Sequence, residues 1–125
     1  MNISCGIDII EIDRIKTSIE RQGEKFLNRI FTNNEIEYCK SKKEQQYQHY
    51  AGRFAAKEAT FKAISKSIKD KYSITWKDFE IINDSQGKPE LKLSNINTDK
   101  IESIDISISH CKSYATANVT ILYKD

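Results

Sequence analysis

Two acidic residues stand where the local pattern asks for apolar ones. Asp8 lies within Cys5-Gly6-Ile7-Asp8-Ile9-Ile10-Glu11-Ile12, a nearly continuous apolar run, and Gly6 beside it leaves room for another backbone or a ligand. Glu58 lies in the stretch of strongest helix propensity, where Tyr47, Ala51, Phe54, Glu58 and Phe61 share a stripe of roughly 80° at about 100° per residue. A carboxylate withdrawn from water needs a cation or hydrogen-bond donors to stay ionised. Two of them, one on a strand and one on a helix, suit a hard ion such as Mg²⁺, which keeps several waters and accepts phosphate oxygens. Plainer readings stand beside this one. Glu58 pairs with Lys62 four residues on, or the helix is rotated and both are solvated, and Asp8 caps a turn. The apolar neighbours on both sides of Asp8 count against the turn.

Cations surround these acids in the sequence. Arg53 and Lys62 flank Glu58, and Lys88 follows Gly87. His110 continues the parity of Ile104, Ile106 and Ile108, which points it inward at a strand end beside Ser109 and Cys111. Singly these are solvated charges and a core histidine; gathered by a fold they would hold a phosphate-rich ligand. Thiol chemistry, with Cys39 or Cys111 activated by His49 or His110, lacks both a recognisable spacing and basic surroundings. From Arg14 to Arg29, Arg14, Lys16, Arg21, Lys25 and Arg29 face only Glu20 and Glu24. This excess could steer an acidic partner, or it is a solvated helix surface. Arg14, Arg21, Lys25 and Arg29 would align on one helical face were Gly23 not in the way.

The elements that must position these groups are legible from periodicity. Residues 2 to 10 read as a strand buried on most of both faces. Ile12, Ile15 and Ile19 recur at helical spacing, Gly23 ends that helix, and a second short one carries Phe26, Leu27, Ile30 and Phe31. Thr32 and Glu35 form a capping-box signature for a further turn or two through Tyr38. The central helix runs from about Glu44 to about Lys69. Trp76 to Ile82 and Glu90 to Ser94 read as a hairpin across Asp84-Ser85-Gln86-Gly87-Lys88-Pro89. Ile104 to His110 and Tyr114 to Tyr123 form a second strand pair, while Asn95 to Ser103 is ambiguous. The fold class is α+β, an antiparallel-rich sheet packed against one long central helix.

With 125 residues the chain makes one domain, residues 1–125, and has no length for two cores of ordinary size. Charged residues at 30% and hydrophobic ones at 38% describe a folded domain with a wet surface. Twenty Lys and Arg against 18 Asp and Glu give a net charge of +2, which argues for neither nucleic acid nor membrane binding. No apolar run approaches the roughly 20 residues that span a bilayer, and Met1 to Arg14 lacks the basic flank and apolar run of an export signal. Three widely spaced cysteines indicate neither a disulfide framework nor a zinc knuckle. A cytoplasmic protein with reduced thiols is expected.

Five blocks in order resemble the small bacterial holo-(acyl-carrier-protein) synthases of the 4'-phosphopantetheinyl transferase family. They are Gly6-Ile7-Asp8-Ile9-Ile10-Glu11-Ile12 with Arg14-Ile15; Arg29-Ile30-Phe31-Thr32 with Glu35; Arg53-Phe54-Ala55-Ala56-Lys57-Glu58-Ala59 with Lys62-Ala63; Gly87-Lys88-Pro89; and Ile106-Ser107-Ile108-Ser109-His110 with Tyr114-Ala115-Thr116-Ala117. The resemblance implies a single 4'-phosphopantetheinyl transferase domain. Its activity would be transfer of the 4'-phosphopantetheine arm of coenzyme A to a serine of an apo-acyl carrier protein, leaving adenosine 3',5'-bisphosphate, in fatty acid biosynthesis. It further implies that Asp8 and Glu58 hold Mg²⁺, with Mn²⁺ a possible substitute, and that Lys62 helps neutralise charge at the pyrophosphate.

In the same reading Asp8, Glu58 and Lys62 form the catalytic group. Arg53, Lys62, Gly87, Lys88, Pro89, Ser109 and His110 contact coenzyme A. Glu58, directly or through a metal-bound water, serves as the base that a serine hydroxyl needs. Arg14, Arg21, Lys25 and Arg29, with Phe26 and Phe54 as apolar contacts, dock the acidic carrier protein. The family likeness also implies a homotrimer with sites between subunits, and no nucleic-acid or membrane partner. The contrasting possibility is a non-catalytic module that binds an acidic protein or nucleic acid through the Arg14 to Arg29 segment, with Asp8 and Glu58 merely structural.

Overall fold

The computed structural model describes residues 1–68 and 73–125. In chain order it comprises β1 (Asn2–Glu11), α1 (Ile12–Gln22), α2 (Glu24–Ile30), α3 (Asn33–Ser41), α4 (Gln46–Ile64), β2 (Phe79–Asn83), β3 (Pro89–Leu93), β4 (Ile101–His110) and β5 (Tyr114–Tyr123). Short 3-10 turns fill Lys43–Gln45, Ser65–Ser67 and Trp76–Asp78. The α+β reading holds, with an antiparallel sheet in the order β1-β5-β4 beside a separate β2-β3 hairpin. Boundaries move by a few residues. The turn at Trp76–Asp78 delays the first hairpin strand, because Thr75 and Asp78 close a capping box there. The ambiguous 95–103 stretch resolves at Ile101, where β4 begins. The central helix, expected to run to about Lys69, ends at Ile64 and closes in the Ser65–Ser67 turn, so it is shorter than its composition suggested; Lys69 itself lies outside the described residues.

Local chemistry explains the first half of the chain. Gly23, at φ +56°, breaks the helical run between α1 and α2, so the four basic residues spaced along it sit on two helices rather than one. Thr32 Oγ1 accepts the Glu35 amide and Glu35 Oε1 accepts the Thr32 amide, the reciprocal cap that starts α3.

Helix α4 is the axle of the molecule. Ala55, Ala56, Ala59 and Ala63 are all fully buried against β-strand residues that include Ile106, Ala117, Val119 and Ile121. Small side chains there let the sheet approach the helix closely. A Cβ added to Gly6 would lie 1.9 Å from the Ala59 carbonyl oxygen, so only glycine fits that point of β1. Ser4, two residues earlier on the same face, donates from Oγ to the Ala63 carbonyl at 2.7 Å. The even residues of β1 are therefore laid along α4.

Two sequence expectations need correction. The stripe Tyr47, Phe54, Glu58 and Phe61 is only half-buried, because the alanines and not the larger residues make the closest face of α4. Only one face of β1 is covered. Ile3, Ile7 and Ile9 are 68%, 64% and 66% exposed, since nothing in the described chain covers the outer face of β1.

Candidate functional site

Asp8 follows Gly6 by two residues and so points to the same face, towards α4. Its side chain is 18% exposed, and Lys62 Nζ on α4 lies 3.4 Å from Asp8 Oδ1. The same ammonium donates to the Ile7 carbonyl at 3.0 Å. Lys62 thus bridges strand and helix, and its ion-pair partner is Asp8 rather than Glu58. Glu58 sits one helical turn before Lys62, half-buried. Burial first, then the charge of Asp8, holds its carboxyl above the ordinary value, with Lys62 opposing the shift. The two carboxylates feel one another, and one ammonium serves both. Among the described residues no third His, Cys, Asp or Glu joins them in a metal-sized cluster. This half-buried excess of negative charge, built of oxygen donors only, fits a hard divalent ion that takes its other ligands from water and phosphate.

Beside Glu58 a cavity of about 270 Å³ is lined by Lys57, Phe61, Ile74, Thr75, Trp76 and Phe79. Phe54 stacks on Trp76, ring centroids 5.1 Å apart. Under this cavity Lys57 is wholly buried, a residue that helical periodicity alone does not single out. Its ammonium contacts Glu35 Oε1 at 2.8 Å and donates to the carbonyls of Phe79 at 2.6 Å and Trp76 at 3.1 Å. Glu35 Oε2 in turn accepts the Ile81 amide at 2.9 Å. Burial pulls the Lys57 amine below its ordinary value, against the pull of Glu35. The capping box made Glu35 visible in the sequence, but only as a helix start.

A second cluster forms on the N-terminal half of α4. Arg53 is 4% exposed, yet no described carboxylate lies within ion-pair distance of it. Its Nη2 donates to Asn83 Oδ1 at 3.1 Å, its guanidinium lies 4.1 Å from the centre of the Tyr38 ring, and its Nε has no partner. A buried cation without a counter-charge asks for an anion. His110 ends β4 exposed rather than inward-packed, with its ring 6.1 Å from that of His49. Asn83 Nδ2 donates to the Tyr38 hydroxyl at 3.0 Å and to the Gly87 carbonyl at 3.4 Å, tying Arg53 to the hairpin turn. There Gly87 has φ +85°, and Asp84 Oδ1 accepts the amides of Gln86 and Lys88 at 2.8 and 2.9 Å. Lys88 Nζ reaches Asp105 at 2.6 Å, both exposed, so this expected ligand cation is engaged within the chain. Pro89 opens β3. Ser109 lies on the opposite parity from His110 and is exposed.

The remaining expected residues fall elsewhere. Arg14, Arg21, Lys25 and Arg29 are exposed on α1 and α2, with no described carboxylate within 4 Å of any of them. Phe26 is 6% exposed and lies under Arg29, whose guanidinium is 5.8 Å from its ring centre, so it offers little surface of its own. Phe54 is half-buried. Of the two thiols weighed as nucleophiles, Cys39 is buried and pushed up to about 12 by that burial. Cys111 is exposed and held below its ordinary value by the backbone amides of Ser113 and Tyr114 rather than by a histidine.

Comparison with known proteins gives a consistent result. The model of the 4'-phosphopantetheinyl transferase superfamily matches residues 4–119. A holo-(acyl-carrier-protein) synthase from Ruminiclostridium cellulolyticum is 45% identical over 130 residues, spanning 100% of this chain and 96% of the relative. One from Protochlamydia amoebophila is 48% identical over 119 residues, spanning 94% and 95%. Among solved structures, Helicobacter pylori holo-(acyl-carrier-protein) synthase in complex with coenzyme A superposes with a TM-score of 0.81 at 35% identity, covering 94% of this chain and 99% of the other. The Bacillus anthracis enzyme, also solved in complex with coenzyme A, gives 0.78 at 36% identity over 98% and 96%.

Proposed function

Because the chain belongs to the 4'-phosphopantetheinyl transferase superfamily, we infer that it transfers the 4'-phosphopantetheine arm of coenzyme A to a serine of an apo-acyl carrier protein. The serine oxygen forms a bond to the phosphorus that carries the pantetheine arm. The bond from that phosphorus to the bridging oxygen breaks, and adenosine 3',5'-bisphosphate departs with the electron pair. The observation that carries the assignment of residues is the meeting of Asp8, Glu58 and Lys62 across β1 and α4.

Each residue then has a task set by its surroundings. Glu58, half-buried and raised above an ordinary carboxylate, accepts the serine proton as the new bond forms. Lys62, fixed by Asp8 and the Ile7 carbonyl, places its ammonium beside the pyrophosphate. Asp8 and Glu58 would hold Mg²⁺ or Mn²⁺, which when bound neutralises charge on the diphosphate and polarises the attacked phosphorus. Arg53 and His110 take a phosphate of coenzyme A, with the Gly87-Lys88-Pro89 turn and Ser109 bordering the nucleotide. The buried, acid-free guanidinium of Arg53 supports this placement.

The exposed cations Arg14, Arg21, Lys25 and Arg29 form the docking surface for the acidic carrier, with Phe54 at its apolar margin. The bare outer face of β1, carrying Ile3, Ile7 and Ile9, supports a homotrimer in which neighbouring copies cover that face and complete the sites. No described helix is long and apolar enough to cross a membrane. We place the reaction in the cytoplasm, where carrier protein and coenzyme A meet. Incubation with coenzyme A, Mg²⁺ and an apo-acyl carrier protein tests the activity: the carrier should gain the mass of the prosthetic arm. A carrier that is bound but unmodified would instead favour a non-catalytic module.

A further inference from the structure

The cluster around Arg53 contains one imidazole that the transfer reaction has not used. His49 lies on α4 four residues before Arg53, so the two side chains share a helix face one turn apart. Both meet the same ring. The Arg53 guanidinium is 4.1 Å from the centre of Tyr38, and the His49 ring stands edge-on to Tyr38 with centroids 5.5 Å apart. On its other side His49 faces His110 at 6.1 Å. Arg53 and His49 of α4 therefore share one aromatic floor supplied by α3, and His110 from the end of β4 adjoins His49.

The charges around His49 have one sign. Arg53 on α4, Lys42 at the end of α3 and His110 on β4 are the basic groups that face it, and Tyr38 is neutral. No described carboxylate approaches within ion-pair distance of any of these four basic side chains. Arg53 itself is 4% exposed with an unpartnered Nε. In the empty cluster burial and these positive neighbours hold His49 below its ordinary value, which keeps the imidazole neutral at neutral pH. A dianionic phosphate brought into the cluster reverses that field.

The proposal rests on the transferase reading, in which the pyrophosphate of coenzyme A lies at Asp8, Glu58 and Lys62. The one phosphate left for the Arg53 cluster is then the 3'-phosphomonoester. We propose that His49 is a further binding residue for this 3'-phosphate, beside Arg53 and His110, and that it takes up a proton from solvent as the phosphate binds. The proton moves to an imidazole nitrogen, which then donates a charge-assisted hydrogen bond to a phosphate oxygen. No covalent bond changes. Above neutral pH the phosphomonoester is already a dianion, so the uptake belongs to the protein.

Isothermal titration calorimetry tests this on the intact chain at pH 7.5, in buffers of different ionisation enthalpy. Coenzyme A and 3'-dephospho-coenzyme A are titrated into wild type, His49→Phe and His49→Gln. The slope of observed enthalpy against buffer enthalpy counts protons. Wild type should take up protons with coenzyme A and not with the dephospho form. Both variants should show a clearly smaller slope, and His49→Phe should bind coenzyme A about tenfold more weakly while binding the dephospho form like wild type. Coenzyme A bound with unchanged affinity and slope by both variants would overturn the role of His49 and leave the transferase reading standing. Wild-type protein that binds neither nucleotide would instead overturn that reading, and this proposal with it.

Discussion

Lys57 Nζ lies 2.8 Å from Glu35 Oε1, and both side chains are wholly shielded from solvent. Every polar atom of the pair is used. The ammonium reaches Glu35 and two carbonyls, and the carboxylate takes the Thr32 and Ile81 amides as well. The pair locks α4 to α3 and to the strand that follows the cavity. A buried pair of this kind is worth little against an apolar replacement, but breaking one half leaves a buried charge alone. Lys57→Met should therefore lose about 3–5 kcal/mol in urea unfolding. The double variant Lys57→Met, Glu35→Leu should lose less than the sum of the two single losses, and strict additivity would mean that the two groups are not coupled.

Gly6→Ala probes the contact between β1 and α4. The new methyl would start 1.9 Å from the Ala59 carbonyl oxygen, and backbone cannot yield as a flexible side chain does. Overpacking costs about 1–3 kcal/mol in ordinary cores, and this clash should reach the upper end or exceed it. Thermal unfolding checks it; a wild-type midpoint would show that the strand can lift off without cost.

Glu58→Gln should separate activity from stability. In the folded protein this carboxyl lies above its ordinary, unfolded value, so its favourable contribution is full below the unfolded value and is lost as pH rises through the folded one. At pH 7.5 an ionised Glu58 thus destabilises the fold. The glutamine variant should melt at a higher temperature than wild type at that pH, with the difference vanishing towards pH 4. Its turnover should fall by about a hundredfold or more, the range for loss of a general base. Full turnover by Glu58→Gln would remove Glu58 as the base.

Carrier docking through exposed cations has a salt signature. The Debye length shrinks from about 10 Å at 0.1 M to about 3 Å at 1 M, so the Michaelis constant for the carrier should rise steeply with salt. Arg14→Glu with Arg21→Glu should raise it about tenfold at low salt, while the constant for coenzyme A stays near wild type. A carrier constant indifferent to salt and to both reversals would place docking elsewhere.

The bare face of β1 makes a prediction about assembly. Ile7 is 64% exposed, so Ile7→Asp should cost the isolated subunit only about half a kcal/mol. In sedimentation, wild type should run as a trimer and Ile7→Asp as a smaller species with a raised Michaelis constant for coenzyme A. Wild type that sediments as a monomer at assay concentration would end the trimer reading.

The periodic elements were legible because each obeys a single local rule. Ile104, Ile106 and Ile108 alternate, Thr32 and Glu35 cap a helix, and Gly23 breaks one. Asp8 stood out because an acid in an apolar run is costly wherever it lies. What stayed hidden depends on approach between distant elements. The stripe carrying Tyr47 and Phe54 attracted attention through size, whereas Ala55, Ala59 and Ala63 form the closest packing because they are small. The exposed face of β1 could not be told from a buried one, since a row of isoleucines reads the same whether or not anything covers it. Lys57 carried no signal of its own in the sequence, because its partner Glu35 lies 22 residues away on another helix.

The row of small residues where β1 lies on α4 also acts as a ruler. Asp8 and Glu58 are carried by those same two elements, so the thickness of the alanine and glycine seam sets the gap between the acids. On the proposed assignment, a substitution that merely thickens the seam should lower turnover although it touches neither acid. Engineering for heat tolerance by filling space along this line would push the acids apart, and such gains have to be sought on the far side of the sheet or in the hairpin.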